Sequence, residues 1–347
     1  MRPSDFDYDL PEALVAQEPV TPRDASRLLV LPRSGGPVQH RRFRELPGLL
    51  APGDLLVFND TRVIPARLEG VKETGGRCEL LLCEPLPSDP AAPGARFRAM
   101  GQASKPIRAG QRLTFLGPLA AVVEAAEGEG FFRVRFDREG EGFAAALERA
   151  GHVPLPPYIR RPDGPADRER YQTVFARVPG SAAAPTAGLH FTPELLSRLD
   201  ARGIVRASVT LHVGPGTFLP VREERVEAHR MHEEPYEVPA ATAAAFAGCR
   251  ARGGRVVAVG STAVRTLESA FANGGLRPGP GRTSLFVLPG YEWRAVDAMV
   301  TNLHLPHSTL LMLVCALGGR ERVLSAYREA VREGYRFYSY GDAMLLA

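Results

Sequence analysis

The chain has 347 residues, of which 44% are hydrophobic and 24% charged, ordinary values for a soluble globular protein and enough length for two domains. The apolar run from Leu310 to Leu317 is far below the ~20 residues of a membrane span. The opening MRPSDFDYDLPEAL lacks the basic-then-apolar pattern of a secretion signal, so a cytoplasmic protein with four reduced, mostly buried cysteines is expected. A net charge of +4 permits a polyanionic partner without demanding one.

In chain order, the first recognisable element is 53-GDLLVFNDTR-62, a short apolar strand ended by the turn residues Asn59 and Asp60. From 63 to 150 the texture is mostly β. Strand-like runs recur at 63-VIPARLEG-70, 77-RCELLLCEPL-86, 95-ARFRAMG-101, 111-QRLTFLG-117, 119-LAAVVEA-125 and 131-FFRVRFD-137, separated by Gly, Pro, Ser and Asp. This spacing predicts a small barrel or sandwich. The segment 142-GFAAALERAG-151 reads as a helix closed by Gly151.

Beyond 151 the texture becomes α/β. Thr192 and Pro193 open a helix, 204-IVRASVTLHV-213 alternates as a strand, and 255-RVVAVG-260 is an unbroken apolar strand passing straight into a helix. Alternating strands and helices predict a mainly parallel sheet, which binds ligands beyond its C-terminal strand ends. The expected architecture is a discontinuous α/β domain, 1–62 with 151–347, and an inserted small β-barrel domain, 63–150.

Most histidines fall in the α/β part, near strand ends or Gly/Pro turns: His190, His212, His229, His232, His304 and His307. His229 and His232 are followed by Glu233 and Glu234, but neither HExxH nor a Cys/His zinc pattern occurs, so no metal is expected. GPGTF at 214–218 is a weak phosphate signal; GSTAV at 260–264 is better, because it opens a helix whose free N–H groups attract anions. Arginines concentrate in 40-HRRFR-44 and 158-YIRRPDGPADRERYQ-172, either a solvated surface or a phosphate track with interleaved aromatics. The aromatic tail 335-YRFYSYGDAML-345 is expected to be ordered against the fold.

Taken together, FDYDLPEALVAQEP, GDLLVFNDTRVIPARL, GHVPLPPYIRR, AAPTAGLHFTPELL, TLHVGPGTFLPV, HRMHEEPYEV, VAVGSTAVRTLES, VDAMVTNLHLPHSTLLMLV and YRFYSYGDAML resemble the S-adenosylmethionine:tRNA ribosyltransferase-isomerase family from end to end. The resemblance implies a metal-free and cofactor-free enzyme, with S-adenosylmethionine as a substrate. Its ribosyl part is transferred and isomerised onto 7-aminomethyl-7-deazaguanine at the wobble position of tRNA. Epoxyqueuosine-tRNA, adenine and methionine result. Such chemistry needs proton transfers that histidine can perform in both directions.

On this basis His190, His212, His232, Glu234, His304 and Asp342 are expected to be catalytic. Asn59, Asp60, Arg62, Thr186, Gly188, Gly214, Gly216, Thr217, Ser261, Thr262, Arg265, Asn302, Ser308, Tyr338 and Tyr340 are expected to bind substrate. Of these, Ser261, Thr262 and Arg265 are assigned the methionine carboxylate. Arg160 and Arg161 are expected to contact tRNA, and His307 is expected to be structural. A monomer without an obligate protein partner or membrane contact is expected. Two other readings stay open on the residues alone, a histidine-rich metal-dependent hydrolase and a non-catalytic RNA-binding protein.

Overall fold

The structure, a computed structural model, describes residues 1–214 and 223–347. Three strands open the chain, β1 (Arg27–Leu31), β2 (Gln39–Arg42) and β3 (Leu55–Asn59). Six follow in succession: β4 (Arg67–Lys72), β5 (Arg77–Leu86), β6 (Arg96–Ala103), β7 (Arg112–Phe115), β8 (Ala120–Gly128) and β9 (Phe131–Phe136). These six are antiparallel in the order β4-β5-β6-β9-β8-β7, and β7 pairs back onto β4. Closure leaves no open edge. Inside sit Leu68, Leu80, Leu82, Val134 and Phe136, joined by Phe143 and Leu147 from helix α1 (Gly140–Ala150). The strand expected over 63–70 divides in two: Thr61–Val63 pairs elsewhere, with Val178–Ser181, and the barrel strand starts only at Arg67. Pro65 lies at the break and has no N–H for a ladder.

The chain then builds the rest of the large sheet. Helix α2 (Pro193–Ala201) is capped by Thr192, whose side chain accepts from the Leu195 N–H at 3.1 Å. Next come β10 (Val205–Leu211), β11 (Glu234–Val238), α3 (Ala240–Ala251), β12 (Val256–Val259), α4 (Ser261–Ala270), β13 (Gly279–Thr283) and β14 (Ala298–Asn302). Helices α5 (Thr309–Gly318) and α6 (Arg320–Arg332) and strand β15 (Ala343–Leu346) complete it. Among the described residues this sheet has nine strands, in the order β13-β11-β10-β3-β12-β14-β15-β1-β2. Leu55 of β3 lies opposite Val205 of β10, so the chain leaves the sheet, forms the barrel and re-enters beside its point of departure.

The four central strands, β10, β3, β12 and β14, are parallel, as the alternation of strands and helices predicts, and β15 is parallel to β1. The remaining pairings are antiparallel, so the sheet as a whole is mixed. The reason on one side is the pair of helices between β14 and β15. One helix would return the chain for a parallel strand; a second carries it back, so β15 runs against β14. That extra helix also delivers residues 335–342 to the C-terminal ends of the parallel strands. Both faces of the central strands are covered: Leu55, Val57 and Val256 face one apolar cluster, Leu56, Phe58 and Val257 the other.

The tail is packed as its aromatics suggest. Tyr335 and Phe337 are fully buried, and Gly341 fits against the chain, where a Cβ would lie 2.5 Å from both the Arg336 carbonyl oxygen and the Phe337 carbonyl carbon. These are backbone atoms and cannot turn aside. Gly341→Ala is therefore expected to destabilise the fold by ~1–3 kcal/mol, read as a lower urea midpoint; an unchanged midpoint would contradict this packing.

Candidate active site

A cleft of about 360 Å³ opens beyond the C-terminal ends of the parallel strands. Strand β14 supplies Thr301 and Asn302 and runs on into His304; β12 runs into Gly260, Ser261 and Thr262; β10 is followed by Val213. The turn Thr186–His190 contributes Thr186, and the tail contributes Tyr338 and Ser339.

The walls are held by buried polar groups. Asn302 accepts from the Thr186 hydroxyl at 3.0 Å, and its Nδ2 donates to the Tyr338 carbonyl and to His190 Nε2, both at 3.1 Å. His190 Nε2 is therefore an acceptor, and the proton sits on Nδ1, 2.8 Å from Ser26 Oγ. The ring stacks on Phe43 at 4.9 Å. Burial pushes the His190 pKa down to about 3, with Arg23 and Arg336 acting in the same direction. His190 is thus a neutral ring behind the wall, and it positions Asn302. Asn59 plays a similar part beneath α4, donating to the Leu211 carbonyl at 2.9 Å and to Thr262 Oγ1 at 3.1 Å.

His304 does line the cleft. Its Nε2 lies 2.8 Å from Thr301 Oγ1, and its backbone is held from both sides, the N–H donating to Tyr327 Oη at 3.2 Å and the carbonyl accepting from Tyr8. Burial pushes its pKa down to about 3 as well. Ser308 caps α5, accepting from the Leu311 N–H at 3.2 Å. Tyr338 is in left-handed conformation, φ 72°, with its ring 3.8 Å from that of Tyr158, whose hydroxyl bonds Ser339. No Asp, Glu, Lys or Arg lines this cleft among the described residues.

Of the expected site residues, Thr186, Ser261, Thr262, Asn302, His304, Ser308 and Tyr338 meet here. Others do not line it. Glu234 forms a buried ion pair with Arg265 and accepts from the Gly214 N–H at 2.9 Å. Arg265 is further tied to the carbonyls of Leu285 and Thr283, at 3.1 and 3.3 Å, and lines a small separate pocket together with Ser261 and Thr262. Asp342 accepts the N–H groups of Arg27 and Arg336 at 2.7 and 2.8 Å; burial raises its pKa. Its carboxylate fastens the tail.

His212 bonds Thr61 Oγ1 at 2.8 Å and packs under Gly180, with burial lowering its pKa, while His232 rests against Phe131 of the barrel. Asp60 pairs with Arg177 at 2.8 Å, and Gly188 gives room for Phe175. Tyr340 donates to Asp167 at 2.9 Å, and Arg161 grips the same carboxylate with two bonds of 2.7 and 2.8 Å. Arg160 pairs with Glu12, and Arg62 faces a different surface, lined also by Arg170. Gly216 and Thr217 lie outside the described residues.

Conversely, Tyr158, Thr301, His307 and Ser339 line the cleft although sequence reasoning gave none of them a ligand-facing place in it. His307, left-handed at φ 61° and 3.1 Å from Asp7, stands half-exposed. Thr301 was legible as the end of a buried strand; Ser339 gave no sign.

A crevice of neutral polar groups, a tyrosine pair and a helix start, at the ends of parallel strands, is the small-ligand site of an α/β enzyme. The chain belongs to the family of queuosine biosynthesis proteins, whose pattern it matches over residues 3–346, and it is a transferase of that family. It is 70% identical over 347 residues to the S-adenosylmethionine:tRNA ribosyltransferase-isomerase of Anaeromyxobacter sp. (strain Fw109-5), covering 100% of this chain and 99% of that one. With the enzyme of the same name from Gloeobacter violaceus it shares 57% over 343 residues, 98% of this chain and 94% of the other. The crystal structure of S-adenosylmethionine tRNA ribosyltransferase from Thermotoga maritima matches with a TM-score of 0.57 at 38% identity, over 99% of this chain and 100% of that one.

The two buried imidazoles set a pH dependence. Their folded pKa values, about 3, lie below the ordinary 6.5, so between these limits the unfolded chain binds more protons. Stability must then rise with pH across this window and fall on acidification. His190→Gln keeps an acceptor for Asn302 but does not titrate. Its unfolding free energy between pH 7 and 5 is expected to fall less steeply than the wild type's, by up to ~1.4 kcal/mol per pH unit. Equal slopes in chemical denaturation would show that His190 takes up its proton as readily in the fold as in the unfolded chain.

Proposed function

We propose that the cleft binds S-adenosylmethionine and that the chain transfers and isomerises its ribosyl part onto 7-aminomethyl-7-deazaguanine at the wobble position of a tRNA. The observation that carries this reading is a cleft without formal charge beside an aromatic pair and a helix start. The free N–H groups at the start of α4, with Ser261 and Thr262, suit the methionine carboxylate. The Tyr158–Tyr338 pair offers a face for adenine or for the sulfonium, which aromatic rings attract. Asn302 and Thr186 suit the ribose hydroxyls.

The chemistry begins with loss of a proton from the ribose 5′ carbon, acidified by the adjoining sulfonium. Adenine leaves and takes up a proton, the acceptor amine attacks after losing one, and methionine departs as a neutral thioether when the epoxide closes. His304, neutral and oriented by Thr301, is the buried imidazole of the cleft lining that we assign to such transfers; His307, also in the lining, is half-exposed. Being neutral, His304 can hydrogen-bond departing adenine as it stands, but it can protonate adenine only after taking up a proton itself, which requires ligand binding to raise its basicity; a proton removed from the 5′ carbon and passed on to adenine would balance the two steps.

The test is direct. Incubation with S-adenosylmethionine and tRNA carrying 7-aminomethyl-7-deazaguanine should release adenine and methionine in equal amounts and add the epoxycyclopentane group to the tRNA by mass spectrometry. His304→Ala should slow single-turnover adenine release ~10²–10⁴-fold. No mass gain with the wild type would sink the reading; wild-type rates in the variant would remove His304 from the chemistry.

A further inference from the structure

The turn Thr186–His190 that walls the cleft leads directly to Thr192 in a second concavity, a broad basin of about 710 Å³. Four arginines line it, Arg23, Arg62, Arg168 and Arg170, with the exposed Glu169 and Glu194. We infer that this basin receives the sugar–phosphate backbone of the tRNA whose modified base enters the cleft, with Arg62 and Arg170 facing phosphates; the inference rests on the tRNA reading above.

The argument is one of charge balance. The arginines first expected to meet tRNA already have carboxylate partners, Arg160 with Glu12 and Arg161 with Asp167. Of the basin's arginines, only Arg168 is so paired among the described residues, to Glu148 at 2.6 Å. Arg23 donates to the carbonyls of Leu189 and Glu169, at 3.2 and 2.8 Å. Arg170 donates to Thr21 Oγ1 and the Val20 carbonyl, at 2.7 and 2.6 Å. Neutral oxygens orient a guanidinium without cancelling its charge. The Arg62 side chain makes no hydrogen bond or ion pair among the described residues, and it is exposed at the basin wall. Burial and the facing charge of Arg170 lower the pKa of Arg23, against the opposing pull of Glu169. Glu169 and Glu194 offset part of this charge without forming an ion pair with Arg23, Arg62 or Arg170 among the described residues, so the basin keeps guanidinium donors for an incoming anion.

Shape and position select the anion. The basin is broad rather than enclosed, which suits a polymer more than a small metabolite. Thr186 in the cleft and Thr192 in the basin are six residues apart in the sequence, hence within ~20 Å even if fully extended. A nucleic-acid strand carries a phosphate every ~3.4 Å of rise, so a few nucleotides bridge the two. The strip continues through Arg42, which bonds the Ala25 carbonyl at 3.0 Å, two residues beyond Arg23. Guanidinium forks match phosphate oxygens, the planar recognition for which arginine is suited.

The experiment measures tRNA binding by fluorescence anisotropy over a range of salt concentrations. Arg62→Glu should raise the tRNA Kd about tenfold at low salt and reduce the slope of log K against log salt by ~0.7–0.9, the share of one phosphate. Arg62→Gln should give a smaller weakening in the same direction, while Arg160→Glu should leave the slope near the wild type's. Because the Arg62 side chain has no partner among the described residues, the melting temperature should not move, and it serves as the folding check. Wild-type affinity and slope in Arg62→Glu would overturn this placement while leaving the transferase reading intact. Absence of salt-dependent tRNA binding by the wild type would instead overturn the tRNA reading on which the placement stands.

Discussion

The carboxamide of Asn302 is the point on which the cleft depends. Its oxygen takes the Thr186 hydroxyl, and its nitrogen serves both His190 and the Tyr338 carbonyl. It thereby joins three segments remote in sequence: the turn after Pro185, the end of a central strand and the C-terminal tail. A buried amide left unpaired costs ~1–3 kcal/mol per group. Satisfying one residue from three directions therefore fixes all three segments at once. Other hydrogen bonds extend this arrangement: Ser26 behind His190, Thr301 beside His304, Asn59 beneath the start of α4.

A consequence is that the polar groups of the cleft are aimed without being charged. The acids that motif placement suggested as proton carriers are occupied elsewhere: Glu234 with Arg265, Asp342 with two backbone N–H groups. Keeping them out of the cleft means that the sulfonium of the substrate proposed for it would meet aromatic faces and hydroxyls rather than a counter-ion. A carboxylate beside the sulfonium would stabilise the substrate's charge in the ground state, and that charge disappears as methionine departs. A neutral lining avoids holding the substrate more tightly than the transition state. The carboxylates contribute through geometry instead, one tying Gly214 to the buried arginine, the other closing the tail onto β1.

Much of this was legible in the residues. The barrel strand over 77–86 appears where periodicity placed it, Thr192 caps its helix, and β12 runs into a helix start that lines the cleft. The family motifs located Thr186, Ser261, Asn302, His304 and Tyr338 together. What was not legible is side-chain direction. Residues in one motif alternate between cleft and interior: His304 faces the cleft while Leu303 is wholly buried, and Tyr338 faces it while Phe337 is wholly buried. A histidine at a strand end thus signals proximity to a site, but only the third dimension tells a ring that lines it from one that braces it, as His190 does. The antiparallel run of β15 against β14 was hidden for a similar reason, since its direction depends on whether one helix or two intervene.

The same limit applies to charge. In 158-YIRRPDGPADRERYQ-172 all four arginines look equivalent, yet the fold gives them different fates. Arg161 is a brace: its two-bond grip on Asp167 holds the acceptor for Tyr340, and so connects the exposed loop to the tail that carries Tyr338 and Ser339. Asp167 is nearly fully buried, so removing the arginine would strand a charge, a costlier change than breaking a surface pair. Arg170, further along the same segment, bonds only neutral oxygens and lines the open basin, with no carboxylate partner among the described residues. One sequence segment therefore supplies both the internal clamp of the aromatic wall and part of the positive surface beside it, and the buried position of Asp167 is what separates the two roles.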